Sequence, residues 1–140
     1  MDKANRTQAS PAQIDIRVVS TYLRAHSRPE QQQYAYAYSI TISNKAEQSV
    51  QLLSRHWIIT DAEGAVQEVQ GEGVVGEQPV IAPGESFHYT SGATLTTPVG
   101  CMEGSYTMTR CDNNGRPLPD GNRFDVPIPA FSLHTPTALH

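Results

Sequence analysis

The chain has 140 residues, 38% of them hydrophobic, and a formal net charge of −4, which suffices for one domain with a core of its own. Its ten Lys and Arg residues are scattered rather than gathered into the basic stripe that a phosphate backbone requires, so we expect no nucleic-acid partner. No apolar run approaches the ~20 residues that cross a bilayer, and the polar N-terminus lacks an apolar signal region, which together predict a cytoplasmic protein with no membrane partner.

The first part of the chain predicts a flexible tail followed by two strands. Residues 1–12 show no periodic apolar pattern and are predicted to form an N-terminal tail, with the folded domain over residues 13–130. From Ile14 to Val18, apolar and polar residues alternate as in a half-buried strand. A polar loop at residues 26–33 precedes residues 34–43, where aromatic and β-branched residues at every second position give the clearest strand pattern of the chain.

The middle of the chain predicts two further strands and a glycine-rich segment. Residues 50–60 form a predicted strand with Leu53, Trp57 and Ile59 on one face. The polar turn at residues 61–64 leads to a short strand at 66–69, and the glycine-rich segment at residues 71–76 follows.

The last third of the chain continues the same pattern. Strands are predicted at residues 87–95, 102–110 and 124–128, separated by turns that contain Gly84 and Gly115. Pro127 and Pro129 favour an edge position for the final strand, because proline cannot donate a hydrogen bond to a neighbour. Residues 131–140 are predicted to be a C-terminal tail.

About seven short strands, frequent turns and no helical pattern predict an all-β domain, an antiparallel sandwich of the fibronectin type III or immunoglobulin-like class. Trp57 lies on the third strand, where such domains often bury a tryptophan. Tyr106 lies near the start of a late strand and resembles the tyrosine corner of these folds. We therefore expect Trp57 and Tyr106 to be buried.

Cys101 and Cys111 are the only cysteines and lie at the two ends of one predicted strand. A strand of that length spans about 33 Å, whereas a disulfide needs Cα atoms within about 7 Å. We therefore expect two free thiols.

The segment Gly71-Glu72-Gly73-Val74-Val75-Gly76 matches the G-x-G-x-x-G pattern of dinucleotide-binding loops. In such loops a helix follows the glycines and directs its N-terminus at the pyrophosphate. Here Pro79 follows after two residues without a helical pattern, and Glu72 and Glu77 bring negative charge. The favoured interpretation is a structural loop that crosses between the sheets, with the side chain of Val74 or Val75 turned inward. A pyrophosphate site at Gly71, Gly73 and Gly76 is the alternative.

Other groupings of reactive side chains are sparse, so we expect no enzymatic activity, no cofactor and no metal. Ser54, Arg55 and His56 are neighbours in one strand, where alternating side chains cannot form a relay. The five histidines form no close pair of the kind that a metal site uses.

Several segments in order resemble the bacterial ApaG family: Arg55 to Asp61, Gly71 to Pro79, Pro83 to Glu85, Tyr89 to Gly92, Thr97-Pro98 and Gly104 to Met108. The resemblance runs from about residue 14 to residue 129. It implies a fibronectin type III-like sandwich and a link to cobalt tolerance and magnesium efflux. It also implies protein binding, since related domains occur in eukaryotic F-box and polymerase-associated proteins, and a pyrophosphate site on the three glycines. It implies no catalytic residue.

The first hypothesis from these observations is that the domain is a module that binds an unidentified protein partner. Loops and strand edges of sandwiches are common recognition surfaces. Nucleotide or polyphosphate binding at the glycine loop is the alternative, and direct sensing of a divalent metal is the third.

Overall fold

Two antiparallel sheets face each other in the computed structural model, which describes residues 8–136. The eight strands are β1 (Ile14–Tyr22), β2 (Tyr34–Asn44), β3 (Val50–Asp61), β4 (Val66–Glu72), β5 (Val80–Ile81), β6 (Ser86–Leu95), β7 (Val99–Arg110) and β8 (Arg123–His134). Three single 3₁₀ turns lie outside the strands. In the described part of the chain no helix has the length and apolar character needed to cross a bilayer. The predicted all-β sandwich is confirmed.

The sheets are made of non-contiguous parts of the chain. One sheet has the order β1-β2-β6, and the other has the order β4-β3-β7-β8 with the short β5 also paired to β3. β1 packs along β8, where the Ser20 hydroxyl donates to the Ser132 carbonyl oxygen at 3.0 Å. The sandwich is therefore joined along the β1–β8 side, and β6 and β4 are the edges on the opposite side.

The core fills the space between the sheets with the side chains that the period-two pattern directs inward. Tyr36, Tyr38, Ile40 and Ile42 of β2 are buried, as their alternation predicted. Trp57 is 2% exposed and lies edge-on to Tyr38, Tyr106 and Phe131. Burial of Trp57 and of Tyr106 is confirmed.

The hydroxyl of Tyr106 differs from the predicted corner geometry. A tyrosine corner bonds back to the backbone, whereas the Tyr106 hydroxyl bonds to the Tyr89 hydroxyl of β6 in the other sheet. The two tyrosines therefore connect the sheets through the core, and Tyr106 is not a tyrosine corner.

A β-bulge in β3 changes which leucine faces the core. The register with β7 shifts between Leu52 and Ser54, so β3 carries one extra residue there and the alternation of faces changes. Leu52 is fully buried and Leu53 is only half-buried. The predicted shared face of Leu53 and Trp57 is therefore wrong, because strict alternation does not account for the bulge.

Both predicted tails contribute to the fold within the described residues. β8 continues to His134 with Leu133 buried, so the predicted C-terminal boundary after residue 130 falls too early. A register shift of β8 against β7 lies beside Pro129, where a bulge tolerates proline. At the other end Ala9 is buried, and its carbonyl oxygen accepts from Arg110 Nε at 2.8 Å. Residues 1–7 and 137–140 of the predicted tails lie outside the described part.

Candidate functional site

The glycine-rich segment forms a tight hairpin between β4 and β5. Both strands pair with β3 in one sheet, so the predicted crossing between the sheets is wrong. Val74 and Glu77 exchange two backbone hydrogen bonds of 2.8 and 2.9 Å, and the residues between them have positive φ, +42° at Val75 and +82° at Gly76. Positive φ at both central residues defines a type I′ turn. Val74 is fully buried while Val75 is 53% exposed, so one of the two valines turns inward, as predicted.

Gly73 closes the base of this hairpin. Its φ is +63°, and a Cβ atom there would lie 2.2 Å from the Glu77 carbonyl oxygen, so only glycine allows the two arms to approach. The Gly73 N–H donates to the Leu53 carbonyl oxygen at 2.8 Å. The same oxygen accepts from Gln78 Nε2. The bulge at Leu53 therefore anchors the hairpin from both sides.

Arg55 lies over Gly71, a contact that the sequence analysis missed. The two residues are paired across β3 and β4, and a Cβ on Gly71 would lie 2.8 Å from the Arg55 guanidinium. Arg55 Nη1 donates to the carbonyl oxygens of Glu72 at 3.0 Å and Gly73 at 2.8 Å. The predicted strand ended at residue 69, short of Gly71, whereas β4 continues to Glu72, so the sequence offered no signal for this pairing.

The hairpin lacks the features of a dinucleotide-binding loop. After Gly76 the chain enters β5 rather than a helix, so no helix N-terminus faces the glycines. Glu72 and Glu77 are exposed beside the turn. The carbonyl oxygens of Glu72 and Gly73 face Arg55, and carbonyl oxygens repel phosphate. The structure thus brings Gly71, Gly73 and Gly76 together, with Arg55 as the one cation that contacts the loop among the described residues.

A cleft opens between the sheets on the side of β4 and β6. It has a volume of about 400 Å³. Its walls are Tyr38, Arg55, Trp57, Ile59, Gln67, Val69, Ser91, Gly92, Ala93, Thr94 and Met102. A second depression near the Asp61–Ala65 turn continues it along the same opening. The cleft therefore gives access to the inner faces of β3, β4 and β6.

Arg55 is the only charged side chain in the walls of this cleft. Within residues 8–136 Arg17 forms an ion pair with Asp15, and His56 contacts Glu68, so Arg55 has no carboxylate partner there. Burial raises the pKa of Tyr106 and of Tyr89 well above the usual tyrosine range, and the nearby Arg55 charge opposes this rise for both. The cleft is thus a half-open site with one inward-facing cation.

Trp57, which also lines the cleft, carries a buried donor without an acceptor. Its indole Nε1 is buried and has no hydrogen-bond partner in the described structure. A buried donor without a partner costs about 1–3 kcal/mol. Arg55 and Trp57 are two positions apart on the inner face of β3, so the unsatisfied indole and the guanidinium lie on the same face of the strand.

β6 forms a strand edge beside the cleft. It pairs only with β2, and its ten residues include no Asp, Glu, Lys, Arg or Pro. Apart from the two-residue β5, the other sheet edges among the strands described carry such residues: Asp15 and Arg17 on β1, Glu68 and Glu72 on β4, and Pro127 and Pro129 on β8. Proteins use charges and prolines to block unwanted pairing at edges, and β6 lacks both.

The remaining candidate groups lie elsewhere. His56 points away from the core and pairs with Glu68 at 2.8 Å. His88 pairs with the Thr41 hydroxyl at 2.9 Å on the outer face of its sheet. Cys101 and Cys111 are free thiols, and burial, followed by the charge of Asp112, raises the pKa of Cys111. Residues 8–136 contain no group of three or more His, Cys, Asp or Glu side chains that could hold a metal ion.

Comparison with known proteins identifies the family of this sandwich. The model of the ApaG domain matches residues 24–110. The protein ApaG of an Azoarcus species is 54% identical over 127 residues, which cover 91% of this chain and 94% of that protein. The chain belongs to the ApaG family. The protein ApaG of Pseudomonas paraeruginosa is likewise 54% identical, over 91% of this chain and 95% of that protein.

Solved structures of similar proteins share the ApaG-family architecture. A Bordetella pertussis protein described as an ApaA protein has a TM-score of 0.78 and 47% identity, over 89% of this chain and 94% of that one. Another structure, a structural-genomics target, has a TM-score of 0.81 and 44% identity, over 93% of this chain and 92% of that one. The resemblance inferred from the sequence motifs is confirmed.

Proposed function

We propose that this ApaG-family domain is a non-enzymatic, cytoplasmic module that binds an extended segment of a partner protein as an added strand on β6. The observation that supports the proposal is the uncharged edge of β6 beside an open cleft. In strand addition, backbone hydrogen bonds provide affinity and pockets for alternate side chains provide specificity. β6 offers the unpaired backbone groups, and the cleft offers the pockets.

The partner is tested by capture from a cell extract with the wild-type chain and two variants. Ala93→Lys places a charge on the inward face of β6, a natural way of blocking strand pairing. Val19→Lys, on the β1 edge of the same sheet, is the matched control because Val19 is 67% exposed and points outward. We expect a partner that the control retains and Ala93→Lys loses.

The binding mode is tested by hydrogen exchange of the captured complex. Amides of β6 should exchange more slowly in the complex than in the free protein, while those of β1 should not change. Capture that is equal for both variants, or protection elsewhere, would contradict the proposal. Protection of β6 in the isolated protein at rising concentration would mean that a second copy is the occupant, which also contradicts it.

We propose that the link to cobalt tolerance and magnesium efflux operates through this partner rather than through direct metal binding. Cobalt sites use clustered histidine or carboxylate ligands, and the described residues offer no such group. Calorimetric titration with cobalt or magnesium chloride should therefore give weak heat or none. A stoichiometric site of micromolar affinity would overturn this part of the proposal.

Polyphosphate binding at the glycine hairpin is the alternative, and the contact of Arg55 with the loop favours it. The carboxylates of Glu72 and Glu77 oppose it, because each would repel a bound phosphate. The attraction between Arg55 and a phosphate about 4 Å away near a surface contributes only about 1–4 kcal/mol. NMR titration with ATP and diadenosine tetraphosphate distinguishes the two. Saturable shifts confined to residues 71–76 at sub-millimolar ligand would support the alternative.

A further inference from the structure

The position of Arg55 relative to a strand added on β6 constrains what that strand carries. Since β1 packs along β8 and the sheet orders are β1-β2-β6 and β8-β7-β3-β4, β2 lies opposite β7 and β6 opposite β3. A further strand beside β6 would then lie opposite β4. Facing sheets in a sandwich pack about 10 Å apart, so its inward side chains would contact the inward face of β4.

The inward face of β4 presents three different surfaces in a row. Gly71, Val69 and Gln67 pair with Arg55, Trp57 and Ile59 of β3, and Val69 and Gln67 line the cleft. The guanidinium of Arg55 covers Gly71. A strand opposite β4 therefore meets a cation first, an apolar surface two residues later and an amide after a further two.

We propose that the segment bound at β6 carries an acidic side chain two positions from an apolar one, and that Arg55 binds the acidic side chain. The inference rests on the proposed function and adds its specificity. Arg55 is the only charge in the cleft, has no carboxylate partner among residues 8–136, and its guanidinium has more donors than the two bonds from Nη1 use. A carboxylate is the group that such a guanidinium binds best.

The apolar residue of the segment is placed by the remaining wall of the cleft. Val69 is half-buried, and Trp57 and Ile59 lie behind it on β3. A valine- or leucine-sized side chain over Val69 would remove this apolar surface from water. Because residues i and i+2 of a strand share a face, the acidic and apolar side chains enter the cleft together only at that spacing.

Selection of displayed random peptides on the full chain tests the pattern without knowledge of the partner. Peptides enriched on the wild type should share an Asp or Glu two positions from an apolar residue, in one of the two chain directions. Arg55→Glu reverses the charge at the site, and its enriched peptides should carry Lys or Arg at that position. Enrichment without an acidic preference, or an unchanged preference on Arg55→Glu, would overturn the proposal.

A double-mutant cycle separates recognition from any loosening of the hairpin by the Arg55 change. A selected peptide and its glutamine counterpart are titrated against the wild type, Arg55→Gln and Arg55→Lys. Replacing the acidic residue should weaken binding to the wild type roughly ten- to hundredfold, the range of a charged hydrogen bond, and should have little effect with Arg55→Gln. Arg55→Lys should recover part of the loss. Equal losses with the wild type and Arg55→Gln would refute the role of Arg55.

Two further measurements distinguish the role of Arg55 from strand addition on β6 in general and from polyphosphate binding. If peptides protect the β6 amides but show no acidic preference, the specificity fails while the proposed function stands. If no peptide protects β6, both fail. Diadenosine tetraphosphate added as a competitor should not displace the peptide, and displacement would assign Arg55 to polyphosphate instead.

Discussion

Val75 has a backbone conformation that β-branched residues avoid. Its φ of +42° at the first central position of the hairpin turn is one that asparagine and glycine adopt far more readily. The side chain is 53% exposed, so its removal sacrifices little packing.

Val75→Asn and Val75→Gly should therefore stabilise the domain, by about 1 kcal/mol. Urea unfolding measures the difference. Val66→Asn is the control, because Val66 is also exposed and is not among the residues with positive φ; it should give no gain. A loss of stability at Val75 would mean that the valine makes contacts outweighing its strain.

Two glycines of the hairpin differ in what a methyl group would meet. At Gly73 a Cβ would overlap the Glu77 carbonyl oxygen, whereas at Gly76 it would find open space with φ at +82°. Gly76→Ala should therefore cost only the conformational strain, about 1–2 kcal/mol. Gly73→Ala should cost more, because the hairpin must open. Equal losses in denaturant unfolding would show that strain alone decides both positions.

The sequence carried enough information for the turn but not for Arg55. The following proline and the two glutamates favoured a structural loop over a dinucleotide-binding loop, and the pair Val74-Val75 predicted one inward valine. The contact of Arg55 with Gly71 depends on the register of β3 against β4, and register is fixed by the bulge and the turn rather than by the local pattern.

At the scale of the strand, the bulge in β3 determines which leucine faces the core and how the glycine hairpin is held. It turns Leu52 inward, and it directs the Leu53 carbonyl oxygen at Gly73 and Gln78. The sequence predicted the strand but placed Leu53 on the inner face. A bulge can be recognised from the sequence only by comparing the alternation of apolar residues before it with the alternation after it.

Leu52→Ala and Leu53→Ala test the bulge directly. Leu52 is fully buried, so its loss should lower the free energy of unfolding by about 2–5 kcal/mol. Leu53 is half-buried, and its loss should cost clearly less. The reverse order in chemical denaturation would restore the strict alternation that the sequence alone predicted.

At the scale of the whole molecule, tyrosines in the core make stability depend on alkaline pH. Burial, helped by the neighbouring Tyr22 and Tyr34, raises the pKa of Tyr36 to about 12. Burial raises the pKa of Tyr106 and Tyr89 further. The unfolded chain releases these protons near pH 10, where the folded protein still holds them.

The stabilisation from these tyrosines should be complete below about pH 10 and should fall as the pH rises through about 12, because above pH 10 the unfolded state binds fewer protons. Denaturant unfolding between pH 8 and 12 measures the slope. The double variant Tyr89→Phe with Tyr106→Phe removes two of the groups and should flatten it. An unchanged slope would show that other groups control the alkaline limit.

The interleaving of the two sheets along the chain has a consequence for how the domain reaches its native state. β2 pairs with β6 across the whole of β3, β4 and β5, and β3 pairs with β7 across β6. Each sheet therefore joins strands that are separated along the chain by strands of the other sheet, so loop-closure entropy opposes the β2–β6 and β3–β7 pairings in particular. Refolding should accordingly take milliseconds to seconds, in the range of all-β sandwiches. A ribosome must release all of β6 before the first sheet closes, and all of β8 before the second does.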